Sequence, residues 1–365
     1  MVRAAFQTDW DLALANDIDP KKCLAYRTNW GSDNVVEGDV AHIDPKLLRQ
    51  PIDLYWASSP CQDLSLAGAR KGLSGARSGV FHTWMDRVDQ AVKSGFAPRI
   101  LAFENVTGLI TSSGGKDFEA VAEAFLARGY RYGALEIDAI HFLPQSRPRV
   151  FMVGVREDIS LNTDICLPSG TGTFHTKRLR SFVAGLPELA RAGWVWWNVP
   201  APPPRRVTLK SMIETDQTEF LTTSQALKTM AMMEEPSLQK LRQAQESGGL
   251  HFGTIYKRGR PDSNGKVRQR AEVRMDGIAG CLRTPAGGSS RQTLVIVRDG
   301  DISMRLLTAR EAVRLMGLPD SYQLPVSYND AYKLAGDGVA VPVVKHLKQH
   351  LFEPLLAAQA KRVAA

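Results

Sequence analysis

The chain has 365 residues, of which 44% are hydrophobic and 23% charged, with a formal net charge of +8. That length allows two domains, the composition excludes a disordered or fibrous chain, and no apolar run approaches the ~20 residues that cross a bilayer. Four cysteines (Cys23, Cys61, Cys166, Cys281) lie far apart, without Cys-x-x-Cys spacing or neighbouring His pairs, which argues against a zinc site and a disulfide framework.

In chain order, the opening MVRAAFQTDW has no apolar core of a secretory signal, so a reducing cytoplasm is the expected location. Asp11–Asp17 (DLALAND) reads as a strand, and Pro20 and Gly31 bracket a helix at its first turn and just past its end. Ile52–Ser58 and Arg99–Asn105 are apolar runs of buried-strand length. Between them Val80, Phe81, Trp84, Val88, Ala91 and Val92 recur at helical spacing, closed by Gly95. Phe118, Val121, Ala122, Phe125 and Leu126 repeat the pattern up to Gly129, and Arg149–Val155 is another buried strand. Alternation of this kind predicts an α/β fold with a doubly wound, mostly parallel sheet. Ligands of such sheets sit at the carboxyl ends of strands. Asp17, Cys61 and Glu104 all fall there.

After about residue 160 the periodicity weakens. Residues 178–308 are expected to form a second, smaller and irregular domain, with Trp194, Trp196 and Trp197 in its core. Residues 1–177, completed by a C-terminal helix in 335–365, form the first domain, and 309–334 act as a hinge. Within the second domain nine Lys/Arg stand against three acids between His251 and Arg291, the electrostatic footprint of phosphate binding.

Four blocks stand in a specific order: Pro60-Cys61-Gln62, Glu104-Asn105-Val106, Gln145-x-Arg147-x-Arg149, and Gly336-Asp337-Gly338-Val339. With RLLTAREAVRLMGLPDSY and VAVPVVKHL around them, they resemble the prokaryotic and phage cytosine-C5 DNA methyltransferase family from about Asp11 to the C-terminus. The resemblance implies a Rossmann-like class I methyltransferase domain, a target-recognition domain, S-adenosylmethionine as cofactor and double-stranded DNA as partner. A monomer is expected, and a companion restriction endonuclease is left open. No metal is implied.

The chemistry accounts for the residue types. Carbon 5 of cytosine is a poor nucleophile, and a thiolate adding to carbon 6 turns the ring into an enamine that can take a methyl group. The resemblance assigns that role to Cys61. It implies that Glu104 stabilises the charge reaching N3, that Arg149 contacts the cytosine carbonyl oxygen, and that Arg147 holds Glu104 in place. The base must leave the duplex to be reached. Gln62, Ser65, Arg77 and Ser78 would lie on the segment that closes over it, and Gln145 would also face DNA. On the cofactor side the resemblance implies Asp17 for the ribose hydroxyls, Ile18 for the adenine face, Asp39 for its amino group, Pro60 for the loop beside the thiol, and Asp337 and Val339 for the methionine end. In the second domain Arg283 and Arg291, flanking a Gly- and Ser-rich stretch, are the candidates for guanine edges or phosphate.

The family opens with an apolar strand and a Phe-x-Gly-x-Gly-Gly loop, and this sequence shows neither before Asp11. A start assigned too far downstream and a truncated, inactive copy both account for that, and the chain as given is expected to bind the cofactor poorly. Asp337 stands where the family more often has Asn, which keeps an acceptor and adds charge. A catalytically silent DNA-binding protein and a tRNA-directed cytosine methyltransferase are the alternatives. A cysteine hydrolase fits less well, because neither His82 nor His141 sits in a hydrolase motif.

Overall fold

A computed structural model describes residues 1–59, 79–262, 265–284 and 291–363, with side chains to residue 358. It divides into two compact units. The larger holds Val2–Asp138, Pro148–Pro202 and the chain from Val343 onward; the smaller holds Met1, Ala139–Arg147 and Pro203–Pro342.

In the larger unit a short parallel pair, β1 (Ala15–Asp17) and β2 (Val35–Glu37), precedes the main sheet. The strand expected over Asp11–Asp17 is limited to three residues because its partner offers only three. Helix α1 (Pro20–Trp30) starts at Asp19, whose carboxylate accepts the Lys21 N–H, and stops at Gly31, where φ is +83°. A left-handed residue there costs glycine nothing.

The main sheet has the order β3-β4-β6-β5, from β3 (Leu54–Ser58), β4 (Ile100–Val106), β5 (Tyr130–Asp138) and β6 (Pro148–Arg156). Only β3 and β4 pair in parallel; β6 runs antiparallel to both β4 and β5. The sheet is therefore mixed, not mostly parallel. Only Ala139–Arg147 separate the neighbouring strands β5 and β6, shorter than the crossover of a dozen or more residues that a parallel pair needs. Helices α2 (Val80–Lys93) and α3 (Lys116–Leu126) bury the residues that the spacing picked out, among them Phe81, Trp84, Val88, Phe118, Val121 and Phe125. Each such side chain contributes about 1.5–3 kcal/mol on burial.

The tryptophans belong to this core and not to that of the smaller domain. Val195 N–H donates to the Tyr132 carbonyl (2.7 Å), Trp197 is fully buried, and Trp194 and Trp196 pack on the same cluster as Phe118 and Tyr132. The segment covers the free edge of β5, which an exposed sheet would otherwise present to other chains. Residue 178, the expected domain boundary, lies inside a helix, Lys177–Ala184, of this unit.

The smaller unit is more regular than its composition suggests. Strands β7 (Leu250–Pro261), β8 (Val267–Arg274), β9 (Thr293–Arg298) and β10 (Asp301–Leu306) form an antiparallel sheet of order β8-β7-β9-β10. Ile255, Ala271, Val273, Val295 and Val297 form its core with Leu241 and Ala244 of helix α4 (Glu235–Glu246). Two further helices, α5 (Ala309–Arg314) and α6 (Tyr328–Asp337), occupy the stretch expected to be a hinge, and α6 runs on to include Gly336 and Asp337. The buried Arg305 guanidinium meets the Glu311 carboxylate at 2.5 and 2.8 Å, and the Glu214 and Thr308 N–H groups donate to the same carboxylate. Satisfying the remaining lone pairs in this way is what makes a buried ion pair tolerable. Among the described residues no helix is long and apolar enough to cross a membrane, and no cluster of side chains could hold a metal ion.

Candidate active site and cofactor residues

β4 carries Glu104 near its carboxyl end, directly opposite Ser58, the last residue of β3. The Glu104 side chain is only 9% exposed, and its Oε1 lies 3.2 Å from Nε of Arg149. Arg149 comes from β6, where it pairs with Val106, and its Nη1 also donates to the Pro148 carbonyl at 2.9 Å. Asn105 is buried beside them and donates from Nδ2 to the Ser59 hydroxyl at 3.1 Å. Pro60, Cys61, Gln62, Ser65, Arg77 and Ser78 lie outside the described residues.

Arg147 belongs to the smaller unit and serves other partners. Its Nη1 donates to the Leu282 carbonyl (2.8 Å) and faces Cys281 Sγ (3.3 Å), while Nη2 donates to the carbonyls of Gly336 (2.8 Å) and Gly338 (2.6 Å). Within the larger unit, the ion pair to Glu104 comes from Arg149. Gln145 is fully buried: its Nε2 donates to the Leu315 carbonyl (2.6 Å) and its Oε1 accepts the Leu282 N–H (3.3 Å). That leaves its amide no surface for nucleic acid; it is an internal strut.

The cofactor candidates of the larger unit gather where β1 and β2 end. Asp17 presents a side chain 41% exposed, with one oxygen accepting the Asp19 N–H at 2.9 Å. Ile18 follows with 68% of its surface exposed, unusual for a large aliphatic residue beside a strand end. Asp39 caps a short 3-10 turn, accepting the Ala41 N–H at 2.9 Å. Asn16, which sequence reasoning missed, holds this corner: its Nδ2 donates to the carbonyls of Val36 and Gly38 at 2.9 Å each, and Gly38 N–H returns to the Asp17 carbonyl at 3.0 Å. An amide next to a strand-end carboxylate was the only available signal. Exposed carboxylates flanking an exposed aliphatic face suit a ribose diol and an adenine ring, so these residues fit S-adenosylmethionine. Cys23, behind them, gives its thiol to the Asp17 carbonyl (3.3 Å); burial, reinforced by the Asp17 and Glu37 carboxylates, pushes that thiol up and keeps it protonated.

In the smaller unit Asp337 is exposed at the end of α6 and Val339 is buried just beyond it. Arg283 is exposed; Arg291 donates to Asn329 Oδ1 and lies 5.2 Å over the Tyr328 ring. The β7–β8 register puts Tyr256, Arg258, Arg260, Arg268, Arg270 and Glu272 on one face of a long hairpin. Arg258 and Arg260 share Glu272, whose carboxyl the Arg258 guanidinium holds down at about 2.

The sequence profile of the C-5 cytosine-specific DNA methylases matches residues 3–353. The chain belongs to that family. Over 358 residues this methylase is 25% identical to the type II methyltransferase M.BsuFI of Bacillus subtilis, covering 98% of this chain and 69% of the relative. It is 24% identical over 359 residues to M.Bsp6I of Bacillus sp. (strain RFL6), covering 96% and 93%. A shorter match, 34% over 164 residues, is to the orphan methyltransferase M.Rho11sI of Bacillus phage rho11s; it covers 44% of this chain and only 31% of that protein. Among solved structures, the Dnmt2 methyltransferase of S. pombe superposes with a TM-score of 0.60 over 97% of this chain and 95% of its own, at 17% identity. That likeness is one of fold: a class I methyltransferase with a mixed core sheet and a smaller separate domain. Members of the methylase family use S-adenosylmethionine to methylate carbon 5 of cytosine.

Proposed function

We propose that this chain methylates carbon 5 of cytosine in double-stranded DNA, as the modification enzyme of a bacterial or phage system, with Cys61 as the covalent nucleophile. The observation that supports this best is the buried Glu104–Arg149 pair, set at the end of β4 beside the strand that leads through Ser59 toward Cys61.

The Cys61 thiolate adds to carbon 6 of a cytosine swung out of the duplex, and the ring electrons move toward N3 and the carbonyl oxygen. Glu104 donates a hydrogen bond or its proton at N3, and Arg149 fixes that carboxyl and offers its guanidinium to the carbonyl oxygen. S-adenosylmethionine, when bound, supplies an electrophilic methyl group. Once carbon 5 carries the methyl group, its proton passes to solvent water, the C–H electrons restore the ring double bond, and the Cys61–carbon 6 bond breaks to return the thiolate. Asp17, Ile18 and Asp39 hold ribose and adenine; Asp337 and Val339 are proposed for the methionine end. The arginine-faced hairpin, with Arg283 and Arg291, provides the positive charge that duplex phosphates require.

The test is incubation with cofactor and a duplex containing 5-fluorocytosine, whose carbon 5 cannot lose a proton. The reading predicts a denaturation-resistant adduct that Cys61→Ser abolishes. Tight DNA binding without any adduct would establish the silent DNA-binding alternative instead.

A further inference from the structure

In the smaller unit the β7–β8 hairpin runs past its own core. Ile255, Ala271 and Val273 pack near its base. Farther out, Gly259, Arg260 and Pro261 on one strand and Val267, Arg268 and Gln269 opposite them are all exposed, whichever face they point to. A two-stranded ribbon bare on both faces is an element that the major groove admits. On the arginine face, the cross-strand pair Tyr256 and Glu272 holds one guanidinium. Arg258 donates to Glu272 from Nε (2.5 Å) and from Nη2, and its guanidinium lies 4.9 Å over the Tyr256 ring. The Tyr256 hydroxyl sits 3.1 Å from Nη2 and itself donates to Glu272 Oε2 at 2.8 Å. One edge of the guanidinium is thereby engaged. Among the described residues nothing accepts from Nη1 on the other edge, and the side chain is 41% exposed. The other arginines of this face are held more loosely or elsewhere: Arg260 Nε lies 3.4 Å from Glu272, Arg268 pairs with Asp262 (2.9 Å), and Arg270 pairs with Glu234.

The Arg258 guanidinium holds the Glu272 carboxyl at about 2, so this group is ionised at any working pH. A carboxylate in the middle of the face repels phosphates, and phosphate contacts require charge without a fixed orientation. Reading a base requires the orientation. We infer that Arg258 reads a guanine edge of the target sequence in the major groove, with Glu272 and Tyr256 as positioning residues that aim it. The inference rests on the function proposed above and names the residue that sets one position of its specificity. The outer edge of the guanidinium, Nη1 with Nη2, meets N7 and O6 of guanine. Adenine presents an amino donor in place of O6 and is rejected. Because Arg258 is set before DNA arrives, little of its rotamer freedom is left to lose on binding.

The experiment maps the methylated motif by bisulfite sequencing. It then measures duplex affinity and kcat/KM with each guanine of that motif replaced in turn by 7-deazaguanine, which pairs normally and lacks the N7 acceptor. In the unmodified protein the replacement at the read guanine is expected to cost about fivefold or more. Arg258→Lys and Arg258→Ala, two changes of an exposed side chain, should erase the penalty at that guanine alone and relax the bisulfite motif there. Glu272→Gln keeps the shape and Arg258 itself, and should cut the same penalty to about twofold or less. Arg268→Ala should weaken binding to every duplex alike and leave each penalty as it was. If the unmodified protein forms the 5-fluorocytosine adduct but no replacement is penalised, or every penalty survives in both Arg258 variants, this inference is wrong and the proposed activity stands. If no adduct forms, the reading beneath it fails first and this inference falls with it.

Discussion

Arg147 and Arg149 stand two positions apart in one short run and answer to different partners. β6 begins at Pro148, so Arg149 is a strand residue whose side chain meets Glu104, whereas Arg147 precedes the strand and grips the carbonyls of Leu282, Gly336 and Gly338. The sequence identified both residues but could not assign their partners, because long-range strand pairing decides them. Glu104→Gln keeps the shape and removes the acid; single-turnover methylation should slow by about 10²–10⁴-fold, with duplex affinity nearly unchanged. A second residue-scale expectation concerns His175, which is 1% exposed, accepts the Gly172 N–H at Nδ1 (3.1 Å) and packs against Trp196. Burial pushes its pKa down to about 4. The folded protein keeps the ring neutral while the unfolded chain protonates it near its ordinary value of 6.5. The resulting stability is complete above pH 6.5 and drains as pH falls from there to about 4. Urea unfolding should lose up to about 1.4 kcal/mol per pH unit from this group across that window, and His175→Phe should flatten the slope.

At the scale of elements, periodicity found α2 and α3, and a continuous apolar run found β4. Two of the elements that it missed were hidden for physical reasons. β5 reads YRYGALEID, with too much polarity for a buried run, yet it is covered by the Val195–Trp197 segment. Gly133 permits that cover: a methyl group there would run into the Val195 carbonyl and the Trp197 indole. Gly133→Ala should therefore lower the melting temperature sharply, with a destabilisation above about 2 kcal/mol by thermal denaturation. The β7–β8 hairpin was legible only as a basic stretch, because arginines on one face hide the alternation with Ala271 and Val273 on the other. If that face follows phosphates, Arg260→Ala and Arg268→Ala should each reduce the slope of log binding constant against log salt by about 1. Unchanged slopes would remove the hairpin from the DNA surface.

For the whole molecule, the ordered motifs carried the reading further than any single element could. They gave the family and its chemistry, while which residues fill each compact unit depended on packing that no local pattern encodes. Bisulfite sequencing of DNA from a host expressing the gene should reveal one methylated motif, and Cys61→Ala should erase it.

The larger unit leaves its own sheet between the adjacent strands β5 and β6, and the nine residues of that excursion, Ala139–Arg147, fold with the smaller unit. A chimera built by transplanting only Pro203–Pro342 into a related enzyme would leave Gln145 and Arg147 behind, stripping hydrogen bonds from Leu282, Leu315, Gly336 and Gly338. Exchange of target specificity between relatives should succeed only when both non-contiguous pieces travel together, so the graft is a two-part cassette and the short part is the one that sequence-based cloning would overlook.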